Sequence, residues 1–243
     1  MKADRILAGG IFGKLPSYGD FLHRRLPSHF VEAWNAWLSQ ALIESRKVLD
    51  DRWTDAYLTS PPWRFLLEPG TVGEEGWIGV LASSVDQVHR CYPITVAVAL
   101  PEETRLCSLT GEIDPVFDLL ERISLQLIDG SLNPDAVTDQ IDELTRLVGT
   151  RAAPASIFTR GGPEWLMLDQ VPSQIAVLAA RWRAAATGGG QPLSVWWHKA
   201  WGDFEPASIV TVGLPIPEIF VSFLDGAWTD RAWTDKTSRG PST

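Results

Sequence analysis

The sequence predicts an α/β layered fold, with a mixed, largely antiparallel central sheet flanked by helices. Three observations carry that expectation. Apolar stretches of strand length recur along the 243 residues, some of them separated by glycine-rich turns. Between them lie longer segments whose apolar residues return at spacings of three and four, the pattern of a helix with one buried face. The two kinds alternate without a regular strand–helix–strand period, which argues against an all-parallel sheet.

Taken in order, the chain opens with a strand over residues 6–12, interrupted by Gly9 and Gly10. Pro16 and Gly19 mark residues 14–20 as a loop. A helix is predicted from Ser28, whose hydroxyl is expected to cap the first turn. Its apolar stripe runs through Phe30, Trp34, Trp37, Leu38, Ala41, Leu42 and Ser45. Pro61-Pro62 ends that region. Strands follow at 63–67, 77–81 and 94–100, the first two joined by a hairpin through Gly70–Gly76. The third alternates β-branched residues with alanine, as a strand covered on both faces does. Asp114-Pro115 and Asn133-Pro134 are expected to start two helices, closed by Gly130 and Gly149. A helix over 172–186, closing strands at 193–197 and 209–212, and a last helix at 217–224 complete the series.

Residues 1–236 read as a single domain and 237–243 as a disordered tail. Just before that tail, Ala227-Trp228-Thr229-Asp230-Arg231 is followed by Ala232-Trp233-Thr234-Asp235-Lys236. A spacing of five sets the two Trp about 140° apart on a helix. Either one of them folds back on the core, or the pair forms a tail that docks on a partner.

Composition narrows the function. Hydrophobic residues make up 45% and charged ones 21%, values of a folded chain. The net charge of −9 disfavours phosphate backbones and anionic lipid, so neither nucleic acid nor membrane insertion is expected. Cys91 and Cys107 are too few for a disulfide framework, and no apolar run reaches the length of a signal-peptide core or a membrane span. A cytoplasmic protein is expected.

The catalytic inventory is thin, and no cofactor is expected. Gly9-Gly10-Ile11-Phe12-Gly13-Lys14 suggests a phosphate-binding loop, but only three residues separate Gly9 from Gly13, and Leu15 stands where a hydroxyl residue is required. His23, His29, His89 and His198 are scattered without zinc spacing. A GxSxG nucleophile motif is absent. Two polar clusters stand out instead. One holds Lys14, Ser17, Tyr18 and Asp20, with His23, Arg24 and Arg25 just after; the other is Ser83-Ser84-Val85-Asp86-Gln87-Val88-His89-Arg90. Both lie in connections, where binding residues concentrate. Salt bridges of Asp20 with Arg90, or Asp86 with Arg24, would lock one loop to the other. Equally, the residues suit local turn bracing. Of Trp196 and Trp197, adjacent on a predicted strand, one is expected inside and one out; an outward Trp197 would form a contact patch with Trp201, and core packing or edge shielding is the alternative role for each.

The stretch Gly10-Ile11-Phe12-Gly13-Lys14-Leu15-Pro16-Ser17-Tyr18-Gly19-Asp20-Phe21 closely resembles the opening of the TagF family, associated with bacterial type VI secretion. Similarity continues through Trp34-Asn35-Ala36-Trp37-Leu38, Ser60-Pro61-Pro62-Trp63-Arg64-Phe65 and Trp77-Ile78-Gly79-Val80-Leu81. It then covers Ser83 to Pro93 and, more weakly, Ser194-Val195-Trp196-Trp197 and Gly213-Leu214-Pro215. The family pattern has glycine where His89 stands, so a differently built turn is expected there.

The resemblance implies a longin-like fold in part, and a non-enzymatic cytoplasmic regulator. Such a protein represses type VI secretion post-translationally by binding a forkhead-associated (Fha) scaffold protein. Some family members carry a PP2C-type phosphatase domain, whose length and clustered aspartates are not expected here. The family supplies no catalytic residues. Lys14, Ser17, Asp20, Ser84, Asp86 and Arg90 match its pattern as partner-binding or loop-bracing positions. Two other readings stand beside repression. One is a small-molecule sensor or enzyme using the cleft between loops 14–25 and 83–92; the other is a structural accessory subunit of the secretion apparatus.

Overall fold

The three strands with the most continuous apolar sequence lie together in the middle of the sheet. The computed structural model describes residues 7–101, 113–151, 156–158, 165–167 and 191–228. Strands β3 (Trp63–Leu67), β4 (Trp77–Ala82) and β5 (Ile94–Ala99) are buried at every position, because helices cover both of their faces. Around them stand β1 (Gly9–Gly13), β2 (Leu22–Arg24), β8 (Leu193–His198) and β9 (Ala207–Val212), giving the order β2-β1-β5-β4-β3-β8-β9. Strands β6 (Ser156–Phe158) and β7 (Trp165–Met167) form a separate two-stranded hairpin. Every pairing among the described residues is antiparallel, which bears out the largely antiparallel layered sheet expected from the sequence, without its mixed part.

One face of the sheet carries α1 (Ser28–Leu49), α2 (Trp53–Thr59) and α5 (Val221–Asp225). Short 3-10 turns at Asp50–Arg52 and Pro217–Ile219 precede α2 and α5. The predicted α1 stripe is the buried one, from Phe30 to Ser45 and on to Leu49. It meets Phe65, Trp77 and Trp196 in a core dense in aromatic rings. Buried indoles usually find a partner for the N–H, although among the described residues Trp77 Nε1 has none. Trp34 donates to Thr95 Oγ1 at 2.9 Å, Trp37 to the Pro215 carbonyl at 2.7 Å, Trp53 to Ser45 Oγ at 2.8 Å and Trp63 to the Phe223 carbonyl at 3.0 Å. Trp228 folds back edge-on to Trp63 and Phe223, as one of the two sequence readings expects. Trp233 lies outside the described residues.

The other face carries α3 (Asp114–Asp129) and α4 (Val137–Arg151) over an aliphatic core of Ile78, Val80, Val96 and Val98. Arg64 is the polar exception beneath α3. Its guanidinium, 4% exposed, bonds Asp118 at 2.6 Å and Glu121 at 2.7 Å, so the buried charge is compensated.

Several terminus expectations change. Pro27, not Ser28, occupies the cap position of α1, and Asp114 is already helical; neither helix has a side-chain cap bond. Gly130 does close α3 in the left-handed conformation, at φ 80°. Gly149 does not close α4, which runs on to Arg151. The predicted helix over 172–186, Cys107, and the tail from 237 lie outside the described residues. Sequence reading missed β2, α2 and the β6–β7 hairpin.

Candidate functional site

Antiparallel pairing brings the two polar clusters to one end of the sheet. β1 and β4 flank β5, with Phe12 opposite Thr95 and Ala82 opposite Ile94. The loops leaving β1 and β4 therefore emerge side by side, next to the start of β5. Lys14 is the first residue after β1 and Asp86 lies in the β4–β5 connection.

Asp86 joins them. Its side chain is fully buried, and its two oxygens accept four hydrogen bonds. Oδ2 receives Lys14 Nζ at 3.0 Å and Arg90 Nε at 2.6 Å; Oδ1 receives the backbone amides of Val88 at 3.1 Å and Arg90 at 2.8 Å. Desolvation pushes the carboxyl upward, but the Arg90 amide, the Lys14 ammonium, the Arg90 guanidinium and the Val88 amide outweigh it. The group is held well below the usual carboxylate range. Arg90 Nη2 then donates to the Gly19 carbonyl at 2.7 Å, and the Gln87 amide to the Tyr18 carbonyl at 2.9 Å, so backbone and side chain both tie the loops. The Lys14 ammonium lies 5.2 Å from the Phe21 ring centroid.

The helix layer supports this pair from beneath. Tyr57 Oη donates to the Ser84 carbonyl at 2.7 Å and accepts the Ser84 amide at 2.9 Å, while Tyr92 Oη donates to Asn35 Oδ1 at 2.8 Å. Burial raises both phenols above their ordinary range, so they stay protonated. Phe21 stacks on Phe12 at 5.6 Å and meets Tyr92 edge-on at 4.7 Å. Tyr57, Phe21 and Tyr92 were not among the sequence candidates. Their neighbours are set by tertiary contacts, although their aromatic character in or beside loop segments was visible.

The remaining candidates separate. Ser17 and Asp20 are exposed at the loop surface, and Asp20 Oδ1 accepts only the adjacent Phe21 amide, at 2.8 Å. Ser84 is buried. The expected Asp20–Arg90 and Asp86–Arg24 bridges do not form. Arg90 turns to Asp86, while Arg24 and its neighbour Arg25 reach Asp135 at 3.1 Å and Asp142 at 2.6 Å around α4. Trp197 is half-buried on the α3 side, edge-on to Phe117 at 4.5 Å, and is not a free outward side chain.

His89 shows how its turn tolerates a residue other than glycine. It sits at φ 61°, the left-handed conformation glycine adopts readily, with its amide bonded to the Asp86 carbonyl at 2.9 Å. In this left-handed conformation His89 carries backbone strain that a glycine would not. Replacing His89 by glycine is expected to raise stability by about 0.5 kcal/mol in urea unfolding, relief of strain slightly exceeding the added chain entropy.

These paired loops on an antiparallel sheet define a braced surface module. The model for the TagF N-terminal domain, type VI secretion system-associated, matches residues 10–144, which include both loops. The crystal structure of PA0076 from Pseudomonas aeruginosa PAO1 is similar at 33% identity and TM-score 0.66, covering 90% of this chain and 94% of that one. A search of curated proteins finds no match. The chain belongs to the TagF family of type VI secretion system-associated proteins. Among the described residues, no helix is long and apolar enough to cross a membrane.

Proposed function

We propose that this protein is a non-enzymatic cytoplasmic regulator that represses type VI secretion post-translationally by binding, and so sequestering, an Fha-type scaffold protein. The family assignment supports the association with type VI secretion, and the resemblance to TagF supports the partner. The observation that carries a binding role is the surface of the paired loops. Phe21 and Val88 are 45% and 65% exposed there, beside exposed Ser17, Asp20 and Arg90. Exposed apolar side chains within a polar rim, on a braced backbone, suit a protein contact. The cleft reading is less favoured, since Asp86 is saturated by internal donors and the loops bond directly to each other.

Calorimetry with the Fha-type scaffold from the same cell tests the proposal. Saturable 1:1 binding is expected, weakened at least about tenfold by Val88→Asp and less by Asp20→Ala, with circular dichroism unchanged. The absence of saturable binding by folded protein would overturn the Fha assignment. Binding that both variants leave intact would instead move the contact away from these loops.

A further inference from the structure

The guanidinium of Arg90 is anchored at two of its nitrogens and open at the third. Nε donates to Asp86 and Nη2 to the Gly19 carbonyl, which uses two of the five N–H groups an arginine carries. The remaining donors, both on Nη1 among them, have no partner among the described residues, and the side chain is 60% exposed. Anchors in two different loops fix where those donors point, so the side-chain entropy that weakens most exposed arginine contacts is already lost. Exposed apolar side chains flank the group: Val88 lies two positions before it, and Phe21 two positions after the Gly19 anchor.

The local field is positive, although the whole chain carries −9. Cys91, the next residue, registers it. Burial pushes its thiol up, while Arg46 on α1 and Lys14 oppose that rise, each by more than the Asp86 carboxylate adds to it. Arg46 is exposed and lies over the Trp53 ring, 4.1 Å from its centroid. Four internal donors occupy the Asp86 oxygens, and Asp20 is turned to the Phe21 amide.

Resting on the reading of this surface as a protein contact, we propose that it recognises an acidic partner segment, in which Asp or Glu carboxylates stand beside apolar side chains. One carboxylate closes on the free N–H groups of Arg90, and the apolar side chains cover Phe21 and Val88. Two carboxylate oxygens match a guanidinium fork in a way that a neutral carboxamide does not. A basic segment would bring like charge against Arg90 and Arg46.

Two-dimensional NMR of the full chain tests this, with two short synthetic peptides as probes, one alternating Asp and Leu and its twin alternating Asn and Leu. The Asp peptide is expected to shift the amides of Phe21, Val88 and Arg90 and the Arg90 Nε–H signal saturably. The Asn twin is expected to bind at least about tenfold more weakly. Arg90→Lys keeps a cation beside Asp86 but lacks the planar fork, and is expected to lose most of that discrimination with unchanged circular dichroism. Equal affinity for the two peptides overturns the proposal. So does the absence of shifts at these residues, or discrimination that Arg90→Lys leaves intact. The scaffold takes no part in this titration, so a failure here is distinct from a failure of the scaffold to bind.

Discussion

Replacing Asp86 by alanine is expected to lower the melting temperature by about 10 °C, because one carboxylate compensates Lys14, fixes Arg90 and closes its own turn. Its removal leaves the Lys14 ammonium, 8% exposed, facing only the Phe21 ring, and strips two backbone amides of their acceptor. Thermal unfolding by circular dichroism, with hydrogen exchange over residues 14–25 and 83–92, reads both effects. The pH dependence has a definite sign. Asp86 is held below its ordinary value in the fold, so the stability it contributes is present above about pH 4 and lost as pH falls through its lowered value. Asp86→Asn should therefore flatten the acid limb of the stability curve. A variant melting within a degree or two of the parent would show that this cluster does not brace the loops. Asp86 is thus a poor probe of partner binding, and the exposed Asp20 is the cleaner one.

The second large effect is expected at Gly10. A Cβ there would fall on the Arg24 carbonyl oxygen and within 2.7 Å of the Leu26 amide nitrogen, both backbone atoms of the segment around β2. Neither can rotate aside, so Gly10→Ala should cost about 3 kcal/mol, the upper range for overpacking. Gly19→Ala is the matched control. Its Cβ meets only Gln87 Oε1, at 3.7 Å, and a change within about 0.5 kcal/mol is expected. Urea unfolding of the two variants separates close backbone approach from a general intolerance of Gly→Ala replacement; equal stabilities would refute the close approach.

The central strands were readable in the sequence because covering both faces forces continuous apolar runs, as in Ile94–Ala99. The α1 stripe was readable because a one-sided helix prints its period. β2 was not, since three residues with only Leu22 fully buried carry no period. α2 buries just Trp53 and Tyr57 along seven residues, too few to distinguish from a turn. At the candidate site the residue types were visible but their pairings were not. Lys14 and Asp86 lie 72 positions apart, and Arg24 finds Asp135 across 111, so the choice among nearby carboxylates belongs to the packed structure.

Tyr57 holds both the amide and the carbonyl of Ser84, and this has a kinetic consequence. A loop gripped at one residue by donor and acceptor alike has little freedom left to surrender on complex formation. Association at this surface should then need no slow rearrangement on this side of the interface. Its rate should follow encounter and ionic strength, while residence time reports how well the incoming molecule fits a shape already set.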